Sequence, residues 1–343
     1  MAEDFIQSPY YAKMKADIQA TIDVEGKDPG KKIVYAMQYA APIKKRMQLL
    51  VQRVRTIYWR SPAYNLLRML ISIVIAFVLG SIFVTRRLAT TEIVGESYMS
   101  SILSIIFISF IITGVMSMNS VLPIMLNLRD NFYRQRAAGM YGHTSLAVSL
   151  GMAEQIFIVV SSFLFCIIFM PCVGLGRSIL RSFAYWGFFT FNLGIYSYFG
   201  QAFVACVPTV PTAQILAAVF IGLNNFFSGL IVRPQFITGF FSVPYWITPG
   251  HYVYEGLVIA AFADDERRVL ANPGSPFYNY LMCNSDNPDE ECYGTIDDYI
   301  SVFFGGEFQR DHLWYDIMAC ALFLVLARCL TFVALKYFNY TGG

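Results

Sequence analysis

Charge is what this chain has least of. Of its 343 residues only 14% are Asp, Glu, Lys or Arg, where a soluble domain carries about 25%. So few charges cannot cover a water-facing surface, which argues against a soluble globular protein. The first 63 residues also lack an apolar run, although a cleaved secretory leader needs one within about the first 15–30. The N-terminus is therefore expected in the cytosol, with the first helix serving as an uncleaved insertion signal. There is no G-x-x-x-x-G-K-S/T phosphate loop, no G-x-G-x-x-G after a strand and no G-x-S-x-G elbow. His143, His251 and His312 have no second His or Cys at metal-ligand spacing. Catalysis by this chain alone, and a bound metal, are not expected. No basic stripe interleaves with aromatics, so nucleic acid is not an expected partner.

Apolar residues are abundant: 56% of the chain, with mean hydropathy +0.51. A bilayer core about 30 Å thick takes about 20 helical residues. Six runs meet that length. They are 64–84, opened by Ser61-Pro62; 98–122, ended by Pro123; 144–170, interrupted by Glu154 and ended by Pro171; 183–206, closed by Pro208 and Pro211; 212–232, closed by Arg233-Pro234; and 313–338. Lipid forces such segments into helices, because each backbone group must pair within its own segment. The expected fold is an all-α membrane protein of six transmembrane helices. Residues 1–57 form a cytosolic linker and amphipathic segment, residues 58–343 the membrane domain, and a large loop at about 233–312 precedes the last helix.

Orientation follows from the basic residues. Eleven Lys and Arg precede the first run, from Lys13 to Arg60, and Arg129, Arg134 and Arg136 follow the second. The loops after the first and third runs hold only Arg86, Arg87, Arg177 and Arg181, and residues 233–312 are acidic from Asp264 to Asp311, against four arginines. Positive-inside places both termini in the cytosol and the long loop outside. Cys283 and Cys292 lie in that loop with eight residues between them. An oxidising compartment favours a disulfide there; free thiols or bonds to a partner are the alternatives. The other five cysteines lie in or beside apolar runs and read as small buried hydrophobes. The sequon Asn339-Tyr340-Thr341 falls in the cytosol and is expected to be unused.

Ionisable groups inside a span are costly, so each is a functional candidate. Glu154 either faces a water-filled pathway or sits near the cytosolic interface, paired with a basic residue, with the third helix starting near Ala153. The second reading is favoured, because 154–172 alone is long enough to span. Asn192, Gln201, Asn224 and Asn225 are neutral amides. They read first as interhelical hydrogen bonds worth about 0.6–2 kcal/mol each, with a pathway-lining role for Asn225 as the alternative.

Three stretches are more specific than hydropathy: Tyr58-Trp59-Arg60-Ser61-Pro62-Ala63-Tyr64-Asn65; Phe132-Tyr133-Arg134-Gln135-Arg136-Ala137-Ala138-Gly139-Met140-Tyr141 with Glu154 following; and Asn225-Phe226-Phe227-Ser228-Gly229-Leu230-Ile231 with Pro244-Tyr245-Trp246-Ile247-Thr248-Pro249. Together they resemble the transmembrane domain of G-subfamily ABC transporters, of the pleiotropic-drug-resistance type, and within it the second, C-terminal membrane domain. Residues 5–11 are similar to that family's linker from the second ATPase domain. The chain departs from the family pattern at Gln135, where a Glu is usual, at Ser145-Leu146 in place of Pro-Tyr, and at Gln155-Ile156 in place of Ile-Pro.

The resemblance implies one membrane half of an ATP-driven exporter of amphipathic small molecules or lipids, at the plasma membrane. ATP and Mg would sit on a partner nucleotide-binding domain, and a second transmembrane domain would complete the pore, in the same longer chain or as a separate subunit. By position, Arg134, Arg136, Tyr141 and Glu154 would couple to the ATPase, with segment 131–141 as an amphipathic coupling helix; a helix lying on anionic lipid is the alternative. Phe107, Ile111 and Asn225 would line the substrate cavity, Leu230 and Ile231 would plug it, and residues 244–262 would form a partly re-entrant outer helix broken at Pro244 and Pro249. From another class, a non-transporting scaffold or regulator derived from such a domain is the competing reading.

Overall fold

A computed structural model describes residues 8–26, 41–83, 93–175, 178–262, 265, 267–283 and 292–340. Arg86, Arg87, Arg177, Thr341 of the sequon, residues 5–7 of the linker-like start and the acidic residues Asp264, Glu266, Asp286, Asp289, Glu290 and Glu291 lie outside them. The chain divides into two compact units, Met1–Ala40 and Ala41–Gly343. Among the described residues, the first holds helix α1 (Pro9–Gly26). Everything below concerns the second.

Helix α2 (Ile43–Trp59) is amphipathic: Leu50, Val54 and Tyr58 recur every four residues and are buried, while Lys44, Lys45, Arg53 and Arg55 are exposed. Ser61, whose hydroxyl donates back to the Ile57 carbonyl at 2.8 Å, precedes α3 (Pro62–Ser81), with Pro62 at the first helical position, where its missing N–H costs nothing. The outer face of α3 is bare aliphatic surface, including Leu66, Leu70, Val74 and Phe77. The remaining long helices are α4 (Glu96–Ala137), α5 (His143–Val173), α6 (Ile179–Cys206) and α7 (Val210–Phe226). After a stretch of irregular chain come α8 (Ser242–Ile247) and α9 (Pro249–Phe262), then the short α10 (Pro276–Tyr280) and α11 (Ile296–Phe304), and last α12 (Leu313–Tyr337). Among the described residues, three helical segments, Glu96–Ala137, His143–Val173 and Arg310–Tyr337, are long and apolar enough to cross a membrane; Leu66–Ser81 and Val210–Phe226 are shorter apolar helices.

Helix α6 is the hub. It packs against α4, α5, α9 and α12, and Asn192–Gln201 are buried without interruption. Small residues permit this: a Cβ on Gly114 would stand 2.8 Å from the Tyr196 ring. Helix α9 is buried along its whole length.

Several helix boundaries differ from those read in the sequence. Pro123 does not end the second helix, because α4 continues through it to Ala137. Losing one N–H costs the helix a single backbone bond, which the packing of the rest of α4 outweighs. Segment 131–141 is therefore not a separate coupling helix: it is the end of α4, followed by a turn with Gly139 at φ +69°. The third helix starts at His143, not near Ala153, and carries Pro171 within it. The fifth ends at Phe226 rather than at residue 232; Gly229 at φ +100° reverses the chain there, so Leu230 and Ile231 sit beyond the helix. Pro249 does open α9, after a break at Thr248, whereas Pro244 lies inside α8.

The fold is mostly helical but not purely so. Strands β1 (Ile93–Gly95), β2 (Arg268–Leu270) and β3 (Tyr293–Thr295) form a sheet in that order. β1 pairs parallel with β2, Ile93 opposite Arg268, and β2 pairs antiparallel with β3. Hairpins between neighbouring runs are the strand signal a sequence displays, and a parallel pair of three residues each leaves none.

Candidate functional site

Glu154 is fully buried and lies in the first half of α5. It does pair with a basic residue, and that residue is itself inside the bundle. Arg68 of α3 approaches Glu154 Oε1 at 2.5 Å through Nη1. The Tyr64 hydroxyl donates to the same oxygen at 2.6 Å and accepts from Arg68 Nη1 at 2.6 Å. Arg68 Nη2 donates to Ser117 of α4 and, at 3.1 Å, to Ser197 of α6; the two hydroxyls are 2.7 Å apart. One guanidinium thus ties four helices together. The rings of Tyr58, Tyr64 and Phe157 pack on one another beside it, and Arg68 lies over the Tyr64 ring at 5.6 Å. A buried ion pair of this kind contributes little net stability, because desolvation offsets its attraction, but either charge left alone is expensive.

A second guanidinium, Arg328 of α12, donates through Nη1 to Gln201 Oε1 at 2.6 Å and through Nη2 to the Ala147 carbonyl. It lies over the Tyr198 ring at 4.9 Å. Tyr198 in turn donates to Gln155 Oε1 at 2.8 Å. Gly151 makes the room, since a Cβ there would stand 2.9 Å from the Arg328 Cζ. Sequence reading singled out Glu154 but neither Arg68 nor Arg328. The rule that flagged Glu154, an ionisable group inside an apolar run, applies equally to both.

The residues expected to couple to an ATPase are not gathered at one place. Arg134 is exposed at the end of α4. Arg136 donates to the Leu335 carbonyl at 3.2 Å, at the end of α12, where a cation offsets the helix dipole. Tyr141 is buried and donates to Gln135 Oε1, which also accepts from Arg53 of α2 at 3.1 Å. Burial raises the Tyr141 pKa, against a smaller lowering by Arg53, so the phenol remains a donor. Glu154 is thirteen residues further along the chain, about 20 Å at 1.5 Å per helical residue. Arg129 is nearly fully buried and donates to the carbonyls of Val204, at 2.6 Å, of Val207, and of Pro208, at 2.8 Å. It closes the C-terminal end of α6.

Of the expected cavity residues, Phe107 packs edge-on against Phe110 and Tyr254. Ile111 is half-buried against the core, and Asn225 accepts from Tyr196 at 3.4 Å. Leu230 is half-buried and Ile231 is 56% exposed. The amides behave as interhelical ties: Asn192 donates to the Phe110 carbonyl at 2.8 Å and Asn224 to the Tyr196 hydroxyl at 2.7 Å. A cavity of about 450 Å³ lies elsewhere, between α3 and α4, and none of Phe107, Ile111 and Asn225 lines it.

Cys283 and Cys292 are disulfide-bonded, with Cα atoms 6.2 Å apart. Of the other cysteines, Cys166 and Cys320 are buried, Cys172 and Cys206 are partly so, and Cys329 is exposed. Glu255 Oε1 is 3.0 Å from His312 Nδ1. Among the described residues no group of His, Cys, Asp and Glu could hold a metal ion.

Long apolar helices with charged side chains buried between them define a helical membrane domain. Residues 45–262 match the ABC-2 type transporter family, and the chain belongs to it. It is 24% identical over 308 residues to ABC transporter G family member 31 of Arabidopsis thaliana, covering 89% of this chain and 20% of that protein. To pleiotropic drug resistance protein 1 of Nicotiana tabacum it is 27% identical over 313 residues, 91% of this chain and 20% of that protein. To ABC transporter G family member 53 of Oryza sativa subsp. japonica it is 27% identical over 285 residues, 82% and 18%. The chain thus spans about a fifth of the length of these relatives.

Proposed function

We propose that this chain is the membrane half of an ATP-driven exporter that moves amphipathic small molecules or lipids out of the cytosol. The match of residues 45–262 to a transporter membrane domain carries the reading. Six helices, α3 to α7 and α12, cross the plasma membrane, with both termini in the cytosol and the disulfide-bonded loop outside; the excess of Lys and Arg before α3 supports this direction. A nucleotide-binding domain supplies ATP hydrolysis with Mg, and a second transmembrane domain completes the pore. The chain takes the place of the second membrane domain of the full-size relatives.

The geometry of α4 supports a coupling role. Its 42 residues extend about 63 Å at 1.5 Å each, twice the hydrocarbon thickness of about 30 Å. The segment carrying Arg134 and Arg136 is continuous with this helix, so a push on it is passed along one element, with Pro123 as its one weakened point. The test is Arg134→Glu and Arg136→Glu in the full protein, with ATP-dependent export and surface amount measured together. Export falls at unchanged surface amount if the segment couples. Unchanged export in both variants removes the coupling role, and an intact assembly with no ATP-dependent export of any amphiphile favours the scaffold reading.

A further inference from the structure

The cavity between α3 and α4 has the composition of a binding site. Its α3 wall is one helical face: Leu67, Arg68, Ile71, Ser72 and Ile75 follow the spacing of three and four that aligns side chains on a helix. Its α4 wall is two adjacent stripes, Met116-Ser120-Ile124 and Asn119-Pro123-Asn127, each stepping by four residues. At about 450 Å³ it falls within the usual range for small-molecule sites, about 300–1,000 Å³.

Charge decides what it can hold. Arg68 is its one charged lining residue, and Glu154 balances it at 2.5 Å. An anionic head would meet a guanidinium already neutralised, and a cationic head would find no free carboxylate. Neutral hydrogen-bonding capacity remains. The side chains of Asn119 and Asn127 are exposed on this wall and have no hydrogen-bond partner among the described residues, which leaves them open to a ligand. Pro123 has no N–H, so the Asn119 carbonyl lacks its donor four residues on. Such groups are costly against hydrocarbon and are satisfied by a polar ligand group. Ile71, Ile75 and Leu193 line the same cavity with apolar surface.

We propose that this crevice binds an uncharged amphiphile with a hydroxyl or carbonyl head. The head hydrogen-bonds to Asn119 and Asn127, and the tail lies between Leu67, Ile71, Ile75 and Met116. The site is distinct from Phe107, Ile111 and Asn225. It rests on the exporter reading only for its role as a route to export; binding itself needs no transport.

The test is photolabelling without ATP, in membranes of cells making the full protein. The probes are diazirine derivatives of hexadecanol, hexadecanoic acid and hexadecylamine. The alcohol should label α3 and α4 about tenfold more than the acid or the amine, a difference of about 1.4 kcal/mol. Met116→Trp, which fills the cavity from a partly exposed position, should remove most of that labelling, and Asn127→Leu should weaken it severalfold. Asn225→Trp should leave it unchanged. Stronger labelling by the acid or the amine overturns the proposal. So does unchanged labelling of a Met116→Trp protein that keeps its Cys283–Cys292 bond and its normal membrane amount, or equal labelling of the apolar face of α12. An assembly that takes the alcohol but exports nothing overturns only the exporter reading.

Discussion

Arg68 and Glu154 meet at 2.5 Å between α3 and α5, with 5% and 0% of their side chains exposed. Removing one member leaves the other charged and without its counter-ion. Glu154→Gln is therefore expected to cost about 3–5 kcal/mol, read as a large fall in thermal midpoint of the detergent-solubilised protein. The double variant Arg68→Met, Glu154→Leu should recover most of that loss, since apolar replacement of a buried pair is often neutral. A Glu154→Gln protein as stable as its parent would mean that the pair is not buried in the membrane as described.

Gly151 and Arg328 form a second testable contact. A Cβ at residue 151 would stand 2.9 Å from the guanidinium carbon. Gly151→Ala should destabilise by about 1–3 kcal/mol, the usual cost of overpacking. In an Arg328→Met background the same substitution should cost much less. Additive effects in this double-mutant cycle, which neighbours in contact do not show, would rule out the contact.

Gln135 joins α2 and the turn before α5 to the end of α4. Tyr141→Phe removes one of its two bonds and should cost about 0.5–1.5 kcal/mol. Because burial raises the Tyr141 pKa in the folded state, its contribution is fully present below the unfolded phenol value of about 10 and is lost as pH rises beyond it. Between about pH 6 and 8 the difference between parent and Tyr141→Phe should therefore stay constant. A slope in that window would assign the effect to another group.

The disulfide reports on topology. In sealed cells, a membrane-impermeant reductant followed by an impermeant thiol alkylator should modify Cys283 and Cys292, and no modification should occur without the reductant. Protection from both reagents until the membrane is opened would reverse the orientation.

Much of this architecture was legible from apolar runs and proline punctuation. The starts of α3 and α7 and the extent of α12 lie within a few residues of those readings, because hydrophobic length and a proline at a helix start leave few alternatives. The errors have one physical origin. Pro123, Pro171 and Glu154 were read as interruptions because each is unfavourable in an isolated helix. In the bundle, neighbouring helices supply what the helix lacks: Arg68 and Tyr64 for the Glu154 carboxylate. Partners that far apart in the chain leave no local signal, and neither does the cavity formed where α3 and α4 diverge around Arg68. The five separate cysteines show the same limit, since an apolar run marks Cys329 as lying in a helix without saying which side of it faces the bundle.

The small sheet has a consequence for synthesis. Ile93 pairs with Arg268, so the first strand leaves the ribosome long before its partner exists. Most of the bundle must be made and inserted before the N-terminal end of α4 can be fastened. Contacts so distant in sequence form late and slowly, and the unpaired edge is exposed to mispairing in the meantime. Truncations before β2 should therefore yield inserted but unfinished chains, which makes the completed sheet a natural checkpoint for quality control during biogenesis.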